Sequence, residues 1–580
     1  MTWTNLVPAI AQVRSYRREW LSKDLLAGVV LTGLLAPAGM AYAAAAGLPP
    51  VTGLYATIVP LVVYAMFGPS RILVMGPDSS LTPLIVAAVL PLAAVGTDRA
   101  VQLAGAVGIL AGLICVVAGL ARFGFIAELL SSPVRYGYLH GIALTIIVAQ
   151  SAKLCGFSVK GETIVGQLRQ VVDGLDAGRL NGWSLTIGLL SIAVIAALRV
   201  VSRRIPGTLI AVIIGIVVAV ALDLHRRGVP LVGDLPRGLP KFAIPDVDWH
   251  TTRTLAGASL GIAFVAFADT SVMSRTMAMR RREHVDANHE LVALGLANVA
   301  SGLFHGFPVS ASQSRTPVAE AMGSRTQLTG ITAAAVLLAL AAAAPATFRH
   351  LPEASLAAIV IAAAISLIDL PAMVRLWRVR RSEFVLSIAA LLAVAALGPV
   401  SGVVVAVALS ILNFLRLAWK PHTAELVRVD GLKGYHDRVR HPEGRVVPGL
   451  VLYRFDGPLV FANARFFVED LQRVIEERPE PTTCVIITAE PITDIDTTAA
   501  DALKELVDHR ATRGIELRFA ELKGTVRERL ERYEVFDQDA HRFAARTVGE
   551  AVKQYLGEQQ VPWVDWEDRP DDGDSPADRR

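Results

Sequence analysis

Two polar interruptions decide how this chain folds, because each one breaks an apolar region of the sequence. MGPDSS (75–80) precedes the apolar run 81–92, and GFPVSASQSR (306–315) interrupts a second apolar region much later in the chain. Pro and Gly end helices, whereas Ser and Asp favour the first turn of one, so each interruption predicts a short half-helix. Irregular backbone survives inside a membrane only where it lines a cavity or is buried in protein.

A pair of interrupted segments, one in each half of the chain, is typical of a transporter binding site. The N-terminus of a half-helix offers free N–H groups and partial positive charge, so two such ends predict an anion site. Arg315 would add a full positive charge beside the second end. Two alternatives stay open: the interruptions are turns without a ligand, or Arg315 forms an ion pair within the bundle, with Asp78 or Glu320.

Apolar segments surround both interruptions and predict a membrane protein. The hydrophobic fraction is 53%, the charged fraction is 19% and the mean hydropathy is +0.48. These values exclude an ordinary soluble enzyme, a disordered chain and a nucleic-acid binder. About fourteen segments are long enough or apolar enough to count, although several are short. They lie near 25–46, 51–67, 76–95, 100–121, 134–153, 183–201, 207–224, 255–273, 291–304, 309–322, 327–344, 353–368, 382–397 and 399–417.

Charge predicts the orientation and a change of character along the chain. Residues 421–580 hold 23 basic and 32 acidic residues, whereas the first 420 hold 33 and 20. Every second short connection is rich in Arg, as at 280–282 and 375–381, so the positive-inside rule places these connections and both termini in the cytoplasm. We therefore expect a multi-pass protein of the cell membrane, in a bacterium the inner membrane, in contact with lipid.

Asp269 is the most conspicuous ionisable residue of the apolar body, because it lies in FVAFADT (264–270). An intramembrane carboxyl is costly and marks a functional site by default. Desolvation favours its neutral form, which suits a coupling group that binds and releases a proton. The alternative is a structural hydrogen-bonding acid. Asp78 is a second coupling candidate that could also cap the first half-helix.

The pattern changes to alternating strands and helices from about residue 446. We predict a cytoplasmic N-terminus over 1–23, a transport domain over 24–420, a linker over 421–445, an α/β domain over 446–557 and an acidic tail over 558–580. The tail is expected to be disordered or loosely docked. The three cysteines have no metal-ligand spacing, so we expect no metal site.

Several separated motifs closely resemble the SulP sulfate-permease family. LPPVTGLY (48–55) and YAMFGPSR (64–71) are similar to its signature, and PAGMAYA (37–43) is similar to its first helix. The two interruptions fall where the third and tenth helices of that family begin. The resemblance implies a polytopic α-helical fold of fourteen segments in a 7+7 inverted repeat, followed by a cytoplasmic α/β STAS domain. It also implies a core domain that moves against a gate domain, and a homodimer.

The same resemblance implies which residues contact the anion. Tyr42, Ser79, Ser80, Ser310, Ala311 and Ser312 occupy matching positions, and Asp269 matches the acid of the eighth helix. Two positions depart from the family pattern. Ala38 replaces a Gln that could contact the ligand, and Met273 stands where sodium-coupled bicarbonate members have Thr. Met is a poor ligand for a hard cation, which favours coupling to protons.

DIDTTA (494–499) is similar to the STAS domain, where a Ser or Thr near this strand–helix junction can be phosphorylated in related regulators. Thr497 and Thr498 are therefore possible regulatory residues, and helix capping is the preferred alternative. The predicted function is secondary sulfate transport coupled to protons, by an elevator-like movement. Bicarbonate or dicarboxylate transport, and an uncoupled anion channel or exchanger, remain alternatives. An enzyme is disfavoured, because GxxxxGK[ST] and HExxH motifs are absent and the His284–His289–Glu290 group is interpreted as solvated charge.

Overall fold

The computed structural model describes residues 8–128, 131–159, 163–201, 207–233, 239–312, 315–343, 348–511, 514–535 and 544–568. The chain divides into two compact units, 1–411 and 412–580. The first unit is helical, and the second contains a six-stranded sheet.

Helices of the first unit follow the predicted apolar segments closely. Within the described ranges, fourteen helices correspond to the fourteen segments. Seven stretches are long and apolar enough to cross a membrane; six of them rest on single helices of this set, and the seventh, Glu353–Val379, combines two helices. A short helix α1 (Pro8–Arg14) precedes this set. The fourteen helices that match the predicted segments are α2 (Leu21–Ala45), α3 (Pro50–Phe67), α4 (Thr82–Val89), α5 (Asp98–Leu120), α6 (Ser132–Leu154), α8 (Gly182–Val201), α9 (Gly207–Ala221), α10 (Trp249–Arg281), α11 (Ala287–Leu303), α12 (Arg315–Ala321), α13 (Leu328–Ala343), α14 (Glu353–Ser366), α16 (Arg381–Leu397) and α17 (Pro399–Trp419).

Two further helices, each in a connection between spans of this unit, were not predicted. They are α7 (Ile164–Asp176) and α15 (Leu370–Val379), and each lies in the connection after the fifth span of its half. Both are amphipathic and too short to cross a membrane, so neither forms an apolar segment that the sequence would mark as a span.

The packing of the helices has the symmetry of two repeats of seven. The contact of α5 with α11 has its counterpart in the contact of α13 with α3, and α5 on α10 corresponds to α13 on α2. The contact of α6 with α16 likewise corresponds to that of α14 with α8. When the spans are numbered within each half, the two contacts of each pair join spans with the same two numbers, and only the halves are exchanged. The prediction of an inverted repeat is therefore confirmed.

Small residues let the first two spans approach closely. A Cβ atom on Gly53 of α3 would lie 2.0 Å from the carbonyl oxygen of Gly39 in α2. Any side chain at this position would therefore force the helices apart. The glycines belong to the two motifs that carry the family resemblance, and the close contact explains in physical terms why they are needed there.

The second unit is an α/β domain. Its sheet has the order β4–β3–β5–β6–β7–β8, and the strands are β3 (Thr423–Arg428), β4 (Tyr435–Asp437), β5 (Leu450–Phe455), β6 (Cys484–Thr488), β7 (Glu516–Ala520) and β8 (Ala544–Ala545). Strands β5 to β8 run parallel, whereas β3 is antiparallel to its neighbours. The helices are α18 (Ala464–Glu476), α19 (Thr497–Ala511), α20 (Gly524–Arg532) and α21 (Val548–Gln559).

Two expectations about the ends of this domain differ from the structure. Segment 421–445, predicted as a linker, contributes β3 and β4, because β3 pairs with β5 and buries Leu426. The first part of the tail is ordered: the Asp565 carboxylate accepts a 2.8 Å hydrogen bond from Arg428 Nε, and Trp563 lies 4.5 Å from the Arg445 guanidinium. Cation–aromatic and ion-pair contacts therefore hold 561–568 in place. Residues 569–580 lie outside the described residues.

Candidate functional site

The two interruptions meet in space as a pair of very short strands. β1 (Met75–Gly76) is antiparallel to β2 (Ser310–Ala311), with Met75 opposite Ala311 and Gly76 opposite Ser310. The Ser312 N–H extends the pairing with a 3.0 Å hydrogen bond to the Val74 carbonyl. The pairing satisfies backbone groups that would otherwise be unpaired inside the membrane, and it brings the starts of α4 and α12 together.

Arg315 lies at the centre of this junction and is 4% exposed. Its Nε donates a 2.7 Å hydrogen bond to Ser312 Oγ, and its Nη2 donates to the Pro77 carbonyl. Nη2 also lies 3.7 Å from Asp78 Oδ2, and the guanidinium carbon is 5.8 Å from the centre of the Tyr42 ring. The ion pair with Asp78 is therefore present, whereas Glu320 pairs with Arg280 instead, at 3.2 Å.

Two polar atoms of the junction are buried without a hydrogen-bond partner among the described residues. They are Arg315 Nη1 and Ser310 Oγ. Buried polar groups are nearly always paired, so an unpaired one calls for an explanation such as an absent ligand. A guanidinium N–H and a hydroxyl are both donors, and an anion would accept from both.

Asp78 orders the turn before α4. Its Oδ1 accepts from the Ser80 N–H at 3.3 Å and from the hydroxyls of Ser79 and Ser80, each at 3.4 Å. α4 begins at Thr82 after Leu81, and no side chain among the described residues caps its first turn, so the expectation that Asp78 caps the first half-helix is not met; Asp78 instead orders the turn just before the helix. The same carboxylate faces Arg315, so it both orders the turn before the first half-helix and neutralises part of the positive charge at the second.

Asp269 lies in α10 and is 4% exposed, as expected for an acid deep in a span. Its carboxyl is close enough to Ser80, Asp78 and Arg135 to interact with all three. The next residue, Thr270, accepts a 3.1 Å hydrogen bond from the Ala311 N–H and so ties α10 to β2. Asp269 is thus positioned on the wall of the junction.

A cavity of about 610 Å³ borders the junction. It is lined by Thr82 and Val86 of α4, by Ala44 at the end of α2, and by Gln150 and Lys153 of α6. The Lys153 amine donates a hydrogen bond to the Ala44 carbonyl. The cavity therefore connects the C-terminal ends of α2 and α6 to the first turn of α4.

The structure brings together most of the residues that the sequence singles out. Tyr42 and Ser79 interact with each other. The same junction contains side-chain or backbone groups of Ser80, Ser310, Ala311, Ser312, Arg315, Asp78 and Asp269. Their roles in binding and coupling stay predictions. Both interruptions are buried; the alternative of re-entrant or interfacial turns without a ligand stays open.

Thr497 and Thr498 lie in the second unit, exposed at the start of α19. The preferred interpretation, that they cap the helix, is wrong. Asp496 is the cap, because its Oδ1 accepts the Ala499 N–H at 2.9 Å and its Oδ2 accepts the Phe461 N–H at 2.7 Å. A carboxylate is at least as good a cap as a hydroxyl, and its position immediately before the helix decides the matter.

Glu290 is the clearest residue that sequence reasoning misjudged. It is 1% exposed in α11, where it accepts hydrogen bonds from Tyr64 at 2.6 Å and from Ser274 at 2.7 Å. The neighbouring histidines led to its interpretation as solvated charge. The signal that could have corrected this is the helical spacing, since Glu290 and the apolar residues Leu294 and Ala297 share one face.

Comparison with known proteins agrees with this architecture. The model of the sulfate permease family matches residues 21–390, and that of the STAS domain matches residues 441–551. A probable sulfate transporter of Mycobacterium tuberculosis strain H37Rv is 40% identical over 556 residues, which cover 96% of this chain and 99% of the relative.

Solved structures show the same fold. The murine solute carrier 26 family member A9 anion transporter, in its inward-facing state, has a TM-score of 0.87 at 21% identity and covers 95% of this chain and 94% of its own. The transmembrane domain of the cyanobacterial bicarbonate transporter BicA has a TM-score of 0.60 at 22% identity. The match covers 68% of this chain and 98% of the BicA chain. This chain is a multi-pass membrane protein that belongs to the sulfate permease family and carries a C-terminal STAS domain.

Proposed function

We propose that this protein is a secondary active anion transporter that takes up sulfate together with protons. The observation that carries the proposal is the buried pair of unpartnered donors, Arg315 Nη1 and Ser310 Oγ, between the starts of α4 and α12. An oxyanion accepts hydrogen bonds from both types of donor, and the arginine supplies the charge. The probable sulfate transporter of Mycobacterium tuberculosis that is 40% identical to this chain supports sulfate as the substrate.

The charges around the junction suggest how a proton takes part. Arg315 contributes one positive charge, whereas Asp78 and Asp269 contribute two negative charges when both are ionised. Two carboxylates oppose a dianion at close range. A proton on Asp269 removes one of these charges and reduces the charge that crosses the bilayer, so Asp269 is the proposed coupling residue and Asp78 the second candidate.

Movement of a core domain against a gate domain would carry the site across the membrane. The hydrogen bond from Lys153 to the Ala44 carbonyl joins α6 to α2 beside the cavity. We assign α2 and α4 to the moving core and α6 to the gate, so this contact would break and reform in each cycle. A homodimer in a bacterial inner membrane, with both termini in the cytoplasm, completes the proposal.

Uptake of labelled sulfate into proteoliposomes tests this function. We expect accumulation above the external concentration when the lumen is made alkaline, with no sodium present, and inhibition by competing oxyanions. Exchange or leak without accumulation would favour an uncoupled exchanger or channel. Stronger uptake of bicarbonate or of a dicarboxylate than of sulfate would replace the proposed substrate.

Orientation is tested separately by cysteine labelling at two exposed positions. Ser15→Cys and Thr525→Cys are made in a chain where Cys155 is replaced, since Cys115 and Cys484 are buried. We expect an impermeant maleimide to label neither site in intact cells and both sites after lysis. Labelling of either site in intact cells would contradict cytoplasmic termini.

A further inference from the structure

Two short amphipathic helices occupy equivalent positions in the two halves of the membrane unit. α7 follows α6, the fifth span of the first half, and α15 follows α14, the fifth span of the second half. Both pack against α6 and α16. They do so at opposite ends of those spans: α7 buries Val171 near Ala152 and Phe157 after the end of α6, whereas Met373 of α15 contacts Ser387 in the first half of α16.

Each helix leaves an apolar stripe exposed. On α15 the stripe is Leu370, Val374 and Trp377, which are 65%, 48% and 49% exposed. On α7 it is Val165, Leu168, Val172 and Leu175, with exposures between 41% and 74%. The spacing of three or four residues places each stripe on one helix face. A helix that connects two membrane spans and exposes such a stripe lies in the membrane interface.

Charge distinguishes the two helices sharply. α7 carries Arg169 together with Asp173 and Asp176. α15 carries Arg375 and Arg378 and no acid, and it runs directly into Arg380 and Arg381. Arg380 is paired with Glu383 at 3.1 Å, and Arg381 lies 5.2 Å from the Trp377 ring. No ion pair of Arg375 or Arg378 is found among the described residues.

We propose that α15 is a binding site for anionic phospholipid headgroups. The apolar stripe would enter the acyl boundary, and Arg375 and Arg378 would hold the phosphates at that depth. Basic residues beside an interfacial apolar face attract anionic lipids, and this attraction is strongest at the cytoplasmic leaflet. The orientation proposed above places α15 on that leaflet and the acidic α7 on the opposite one.

If α6 belongs to the gate domain, lipid bound at α15 would affect transport. α15 packs on α6 and α16, so bound lipid would hold the inner end of these two spans in place. The core could then move against an anchored frame. This part rests on the proposed transport function, whereas lipid binding itself does not.

Lipid binding is tested on the full chain in neutral detergent. The protein is titrated with short-chain phosphatidylglycerol or phosphatidylcholine, and bound lipid is counted by native mass spectrometry. We expect the wild type to prefer phosphatidylglycerol. Arg375→Gln with Arg378→Gln should weaken that preference by roughly tenfold or more, since each basic residue near a charged surface contributes about 1 kcal/mol.

Arg169→Gln on α7 is the matched control. It removes an arginine from a helix that also exposes an apolar stripe but, unlike α15, carries acidic residues beside the arginine. We expect it to leave the phosphatidylglycerol preference unchanged. Equal loss in both variants, or no loss in the double variant, would overturn the proposal. Competition by inorganic phosphate would reassign the site to free anions, and a change of oligomeric mass would assign the face to a second copy of the chain.

Discussion

The two interruptions of the membrane unit occupy equivalent places in the inverted repeat, yet they carry opposite charges. The first presents Asp78 and the second presents Arg315, and the two side chains lie 3.7 Å apart. Symmetry of the fold therefore coexists with asymmetry of the chemistry. We propose that Arg315 attracts the anion, whereas Asp78 of the first half and Asp269 of the second limit that attraction until a proton arrives.

The largest expected effect comes from neutralising the charge of the second interruption. Ser312 is fully buried, and its hydroxyl accepts from Arg315 Nε at 2.7 Å. Ser312→Glu would place a carboxylate on the arginine and repel the substrate, so sulfate affinity should fall by about 100-fold or more. Ser312→Ala adds no charge and should cost about tenfold at most. Isothermal titration of monodisperse protein measures both, and unchanged affinity in Ser312→Glu would place the site elsewhere.

A smaller and more selective effect is expected from Asp269→Asn, which mimics the protonated acid. The variant should keep sulfate exchange, because the donors of Arg315 and Ser310 remain. It should lose the accumulation that a pH gradient drives, because no proton binds at this position. Proteoliposome uptake with and without the gradient separates the two outcomes. Gradient-driven accumulation in Asp269→Asn would rule out Asp269 as the coupling group, and Asp78→Asn would then be tested in the same assay.

Two buried carboxylates form hydrogen bonds between the two halves. We expect a substitution of either one to change the free energy of unfolding and not sulfate binding. Asp24 of the first half accepts from Thr326 and Thr329 of the second, and Glu290 of the second half accepts from Tyr64 of the first. Glu290→Gln turns one acceptor into a donor that faces hydroxyl groups. The free energy of unfolding should fall by about 1–3 kcal/mol.

Thermal unfolding in detergent checks that loss. Glu19→Gln serves as the control, because the Glu19 side chain is 69% exposed and its substitution should change little. A fall in the midpoint of both variants by the same amount would remove the cross-half contact as the cause.

Regular features of the fold could be read from the sequence, whereas contacts between distant residues could not. The apolar segments and the polar turn of Asp78, Ser79 and Ser80 before α4 follow from local composition and turn chemistry. The pairing of Gly76 with Ser310 joins residues on two-residue strands that no local pattern marks. The helices α7 and α15 were not predicted, because their short length and mixed polar and apolar composition are also typical of the loops that connect spans.

The candidate site divides in the same way. Arg315, Asp78 and Asp269 stand out as charges in apolar surroundings, and the structure places them together. Thr270 and Glu290 do not stand out, because one looks like an ordinary span residue and the other follows histidines. Their partners, Ala311 and Tyr64, become visible only when the halves are packed.

Sulfate binding to the purified Arg315→Gln variant tests the central claim most directly. The matched control is Arg280→Gln, since Arg280 is 59% exposed and pairs with Glu320 outside the junction. By isothermal titration, we expect sulfate affinity in Arg280→Gln to equal that of the wild type and affinity in Arg315→Gln to fall by about tenfold or more. A folded Arg315→Gln protein that binds sulfate as tightly as the wild type would contradict an anion site between the two interruptions.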